Sequence, residues 1–110
     1  MTLRTQFLVA AALPLLLAGC FPKVGPAPGP LTAADLQAAQ ARDAAATPEA
    51  LEQGRQLFLD HCDKCHGYAA LAPIPEDKWR TTVPRMGQKA KISSAQAKLV
   101  LDFVLAARPR

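Results

Sequence analysis

The chain has 110 residues, half of them hydrophobic and a fifth charged, with a formal net charge of +4. So small an excess, part of it from Arg4 near the start, gives overall basicity little force as a sign of nucleic-acid binding. Its distribution says more: from Lys78 onward eight basic residues face one acid, Asp102, whereas from Glu49 to Asp77 six acids stand against Arg55 and Lys64. Such polarity is either a steering field for an acidic partner or an uneven solvated surface.

Arg4 precedes an apolar run from Phe7 to Leu17, followed by Ala18-Gly19-Cys20. The run is shorter than the roughly 20 apolar residues of a transmembrane helix and suits a signal-peptide core. Leu17-Ala18-Gly19-Cys20 resembles the lipobox of bacterial lipoproteins, which implies cleavage before Cys20 and a diacylglycerol on its sulfur. The other reading is an ordinary signal peptide with a stray cysteine. By the same resemblance Phe21, in place of a retention aspartate, favours the outer membrane over the inner one. The expected organisation is a signal peptide at 1–19, a lipidated Cys20 with a Pro/Ala-rich tether at 20–46, and a compact domain at 47–110. The mature chain then sits on the periplasmic side of a bacterial membrane.

Phe21 to Pro30 holds four prolines and two glycines and reads as an extended tether. Leu31 to Ala46 is dominated by alanine; Thr32 with Asp35 three residues later offers a cap for a short satellite helix with little side chain to bury. Thr47-Pro48-Glu49 then supplies a capping hydroxyl, a proline at the first helical position, and acids at the positive end of the dipole. Leu51, Gly54 and Phe58 recur on one face of that helix, with Glu52, Gln53, Arg55, Gln56 and Asp60 on the other. Gly54 costs roughly 1 kcal/mol relative to alanine inside a helix, which suggests a close contact, such as Phe103 from the last helix.

Cys62-Asp63-Lys64-Cys65-His66 is the chain's most specific motif. Two cysteines at this spacing can each form a thioether to a haem vinyl group, and the histidine that follows is held to bind the iron as proximal ligand. With Cys20 lipidated, no cysteine remains for a disulfide. The unit from Thr47 to Arg110 falls below the roughly 70–80 residues at which an unaided core suffices, so one covalent haem c would act as a staple.

The other side of the iron has few candidates. His61 abuts Cys62 and reads as a surface or helix-end histidine. Met86, the only methionine left after cleavage, lies in an expected irregular basic segment, Thr81 to Gly87, twenty residues beyond His66. It is either the sixth ligand or core filling; Lys89, Lys91 or water are the alternatives. The last helix starts near Ser93, with Gln96 completing a capping box. It carries a stripe of Val100, Phe103, Val104 and Ala107, widened by Leu101 and Leu105, and ends at Arg108-Pro109.

Over about Thr47 to Ala107 the chain resembles the class I cytochrome c family, through Gly54 and Phe58, the Cys62–His66 attachment site, Met86, and Phe103 on a closing helix. It looks most like small monohaem lipoprotein cytochromes with a tryptophan shortly before the methionine, here Trp79. The resemblance implies an all-α domain with crossing N- and C-terminal helices around the haem, and His66/Met86 ligation. It also implies that the carbonyl of Pro73 or Pro75 accepts the His66 ring N–H, and that Trp79 either donates to a haem propionate or is core. The stretch from His66 to Met86 is short for the family and leaves little room for intermediate helices.

The expected function is an electron relay, not an enzyme: a lipid-anchored periplasmic cytochrome passing single electrons between redox proteins, with no small-molecule substrate. Lys78, Arg80, Arg85, Lys89 and Lys91 would frame the haem edge and select an acidic docking surface. The alternative is a haem enzyme or gas-binding sensor with an open or displaceable sixth position. A thiol–disulfide oxidoreductase lacks the strand–helix alternation it needs. A zinc site would have to draw its ligands from six consecutive residues.

Overall fold

Three of the four described helices begin on a side-chain cap, and the third in chain order begins at Pro75 without one. A computed structural model of the chain describes residues 25–62 and 67–109, so the signal-peptide run, Cys20, Cys65 and His66 lie outside the described residues. Four helices follow in order: α1 (Ala33–Arg42), α2 (Pro48–His61), α3 (Glu76–Lys89) and α4 (Ser94–Ala107). No strand occurs among the described residues. Thr32 caps α1 in a reciprocal box with Asp35, Thr47 caps α2 with Pro48 at its first turn, and Ser93 caps α4 in a second box with Gln96. All three satisfy amides that a helix start leaves without partners.

The α2–α4 contact explains Gly54. A Cβ there would overlap the Leu99 carbonyl oxygen and stand 2.9 Å from the Phe103 Cβ, so the two backbones meet where no side chain fits. Phe58 lies one turn on, with its ring 5.8 Å from that of Phe103 and 5.7 Å from that of Tyr68. Leu51, Gly54 and Phe58 are the buried residues of α2, the face its periodicity specifies. Val100, Phe103 and Val104 of α4 join Phe58, Trp79 and Val83 in the main core, while Ala39, Leu51 and Ala106 form a smaller cluster beneath α1.

α3 departs from the sequence expectation. Thr81 to Gly87 is not irregular but lies wholly inside a 14-residue helix, with Pro84 in its interior. Pro84 has no N–H to give the Arg80 carbonyl, a deficit that commonly breaks a helix. Here Trp79, Val83 and Gly87 are buried on one face, and Pro84 itself is exposed. Burial of that face against α4 outweighs the local penalty. The short stretch after His66 therefore does hold an intermediate helix. α3 ends with Ile92 N–H on the Gly87 carbonyl and Lys91 N–H on that of Gln88, at 3.1 and 3.2 Å, which places Lys91 at φ 59° in the left-handed region glycine usually occupies.

The proline-rich segment also differs from expectation within the described residues. Gly25 N–H donates to the Tyr68 carbonyl at 2.8 Å. Arg55 Nε donates to the Gly29 carbonyl at 2.8 Å, and Leu31 packs against both apolar clusters. The segment is thus fastened from Gly25 on, because Arg55 and Tyr68 supply the hydrogen-bond partners its backbone would otherwise take from water.

Candidate functional site

The last turn of α2, the loop after residue 66, and the inner face of α3 enclose a cavity of about 400 Å³. α2 contributes Phe58 and, at its end, His61 and Cys62. The loop gives Ala69 and Ile74; α3 gives Trp79, Thr82, Val83 and Met86; Val100 of α4 closes the back. The lining is largely apolar, as a site for a flat hydrophobic group requires. Broader but shallow, a depression of about 730 Å³ on the α2–α4 surface is rimmed by Glu49, Glu52 and Asp60 and holds no thiol, imidazole or thioether.

Cys62 caps α2, its N–H on the Phe58 carbonyl at 3.0 Å, and it is half-buried in the cavity wall. Met86, also half-buried, reaches the same cavity from α3. The structure thus brings together two residues 24 positions apart that the sequence reading assigned to one cofactor. Cys65 and His66 follow Cys62 directly but lie outside the described residues, as does Cys20.

Trp79 is core: it is 4% exposed, lines the cavity, and directs its indole N–H to the Leu71 carbonyl at 3.4 Å. Pro75 stands apart from the cavity lining, as the exposed N-cap of α3, and its carbonyl accepts the Trp79 N–H at 3.2 Å. Pro73 is exposed in the preceding turn.

Of the five basic residues expected around the site, Arg85, Lys89 and Lys91 border the cavity. Lys78 and Arg80 do not. Arg80 is paired with Glu76 at 2.7 Å, and Glu76 also meets Arg42 of α1 at 2.8 Å. The Arg80 hydrogen bond, then that of Arg42, holds the Glu76 carboxyl below the ordinary glutamate range.

Several lining residues escaped sequence reasoning, among them Ala69, Ile74 and Ile92. His61 is a helix-end residue, as its position suggested, yet it also lines the cavity. Thr82 places a hydroxyl among the apolar side chains of α3 in that wall. A signal for this face existed: Trp79, Thr82, Val83 and Met86 stand at i, i+3, i+4 and i+7, a helical stripe that Pro84 obscured. The residues present fit a covalently held, largely apolar macrocycle, with a thiol in the wall and a thioether in the same chamber. No family model, curated protein or solved structure matches the chain, so its chemistry is argued from these residues alone.

Proposed function

We propose that the chain is a lipid-anchored periplasmic c-type cytochrome that relays single electrons between redox proteins. The observation that carries this reading is the shared, largely apolar cavity of Cys62 and Met86, together with the Cys65 and His66 that follow Cys62 in the sequence. In this reading Cys62 and Cys65 would hold one haem c through thioethers, and His66 and Met86 would be its iron ligands. α2 and α4, in contact at Gly54, correspond to the crossing terminal helices of class I cytochromes c.

The haem supplies an iron that gains and loses one electron with no bond made to a substrate. The protein's part is to hold it and set its environment. Ligation by the Met86 sulfur would favour the ferrous state, and the apolar wall of Phe58, Trp79 and Val83 would add to that by excluding water. Two strong protein ligands leave no position for a reactant. Arg85, Lys89 and Lys91 at the cavity border select an acidic docking surface, and contacts of this kind are small and short-lived.

The test is the optical spectrum of protein matured with a c-type haem assembly system, with Met86→Ala beside the parent. Haem that stays on the chain after denaturation is expected, as is a ferric near-infrared sulfur-to-iron band that the substitution abolishes. A high-spin parent that binds carbon monoxide tightly and is unchanged by Met86→Ala would replace the relay with an enzyme or sensor. Loss of all haem on denaturation would remove the thioether attachment.

A further inference from the structure

We infer that residues 25–32 are a strap that holds the cavity wall against a lipid surface, an inference that rests on the lipid-anchor reading of Cys20. Its first fastening is at Gly25. Gly25 N–H donates to the Tyr68 carbonyl at 2.8 Å, and a Cβ on Gly25 would stand 2.9 Å from the Ala70 Cα, so the two backbones lie in direct contact. Tyr68 and Ala70 flank Ala69, which lines the cavity. The strap is fastened again by Arg55, whose Nε and Nη2 donate to the Gly29 and Pro28 carbonyls at 2.8 and 3.5 Å. Arg55 is itself held by Glu52 at 2.9 Å, and its side chain is only 16% exposed.

Chain length then sets the geometry. A tether running from Cys20 to Ala46 would let the body wander over many nanometres. With the chain clipped at Gly25, five residues remain, and they span at most about 18 Å fully extended. The loop at Ala69 therefore stays within about 18 Å of the anchor, which keeps that side of the cavity near the membrane. A carrier so held exchanges electrons with partners in or on its own membrane and does not bridge to a distant one.

Neutron reflectometry of the full lipidated protein on a supported phospholipid bilayer tests this, comparing the parent with a variant carrying ten Gly/Ser residues between positions 24 and 25. The parent is expected as a thin layer touching the headgroups. The insertion, which raises the reach to about 54 Å, should open a hydrated gap beneath it. Equal, diffuse layers for both proteins would overturn the strap. Hydrogen exchange reads the clip without lipid: Gly25 N–H should be protected in the parent and at least tenfold less so in Arg55→Ala, and an unprotected parent amide would overturn the inference. A chain that leaves Cys20 unmodified and stays in the supernatant would overturn the anchor itself, an outcome distinct from failure of the clip.

Discussion

Gly54 shows how much one residue decides. Alanine would gain about 1 kcal/mol of helix propensity, but its methyl would overlap the Leu99 carbonyl and crowd Phe103. Overpacking of that kind costs about 1–3 kcal/mol, and here the obstacle is backbone, which cannot swing aside. Gly54→Ala should therefore lower the thermal midpoint of the protein despite the better helix former, and an unchanged or raised midpoint would show that the helices can part. The periodicity of α2 marks this glycine and that of α4 points to Phe103, because both helix faces are spelled out by their own repeats; the nearer obstacle, the Leu99 carbonyl, is backbone that no repeat reveals. Trp79 is the contrasting case. Nothing in the sequence showed whether the indole is buried or where its N–H points; the structure buries the ring and turns the N–H to the Leu71 carbonyl.

At the scale of the element, α3 is where local rules and packing disagree. Proline inside a helix costs about 3 kcal/mol relative to alanine, part of it recovered through the stiffer unfolded chain. Pro84→Ala should thus stabilise the fold by about 1–3 kcal/mol in chemical denaturation, with the cavity face of Trp79, Val83 and Met86 kept in place. A loss of stability would mean that the proline shapes α3 in a way alanine cannot reproduce. The link between α1 and α3 has its own signature in pH. Glu76 is held below its ordinary value of 4.5 by Arg80 and Arg42, so its contribution is fully present above that value and is lost as pH falls through the lower folded one. The protection factors of the α1 amides, corrected for the pH dependence of intrinsic exchange, should fall below about pH 4.5, modestly because the pairs are exposed, and Glu76→Gln should flatten that dependence.

Across the whole molecule the charge polarity seen along the chain becomes partly spatial. Arg85, Lys89 and Lys91 gather at the cavity border, while Glu49, Glu52 and Asp60 rim the shallow depression on the α2–α4 surface. If the border is the docking face, reversing Lys89 and Lys91 to glutamate should slow oxidation of the reduced protein by anionic hexacyanoferrate by roughly tenfold or more at low ionic strength. Oxidation by a cationic cobalt complex should speed up, and both effects should fade as salt rises. Equal rates for parent and variant with either reagent would place electron exit elsewhere.

The sequence by itself determined the caps of α1, α2 and α4, the buried face of α2 and, on α4, the burial of Val100, Phe103, Val104 and Leu105. Each of these is encoded within a few neighbouring residues or in a repeat that one helix completes alone. Tertiary structure decided that α3 runs through Pro84, that Met86 and Cys62 share one chamber, and that the proline-rich segment is fastened by Arg55 and Tyr68. Those outcomes depend on partners tens of residues away. The free energy of burying a face against α4, or of satisfying a carbonyl with a distant guanidinium, is invisible to local propensity and large enough to override it.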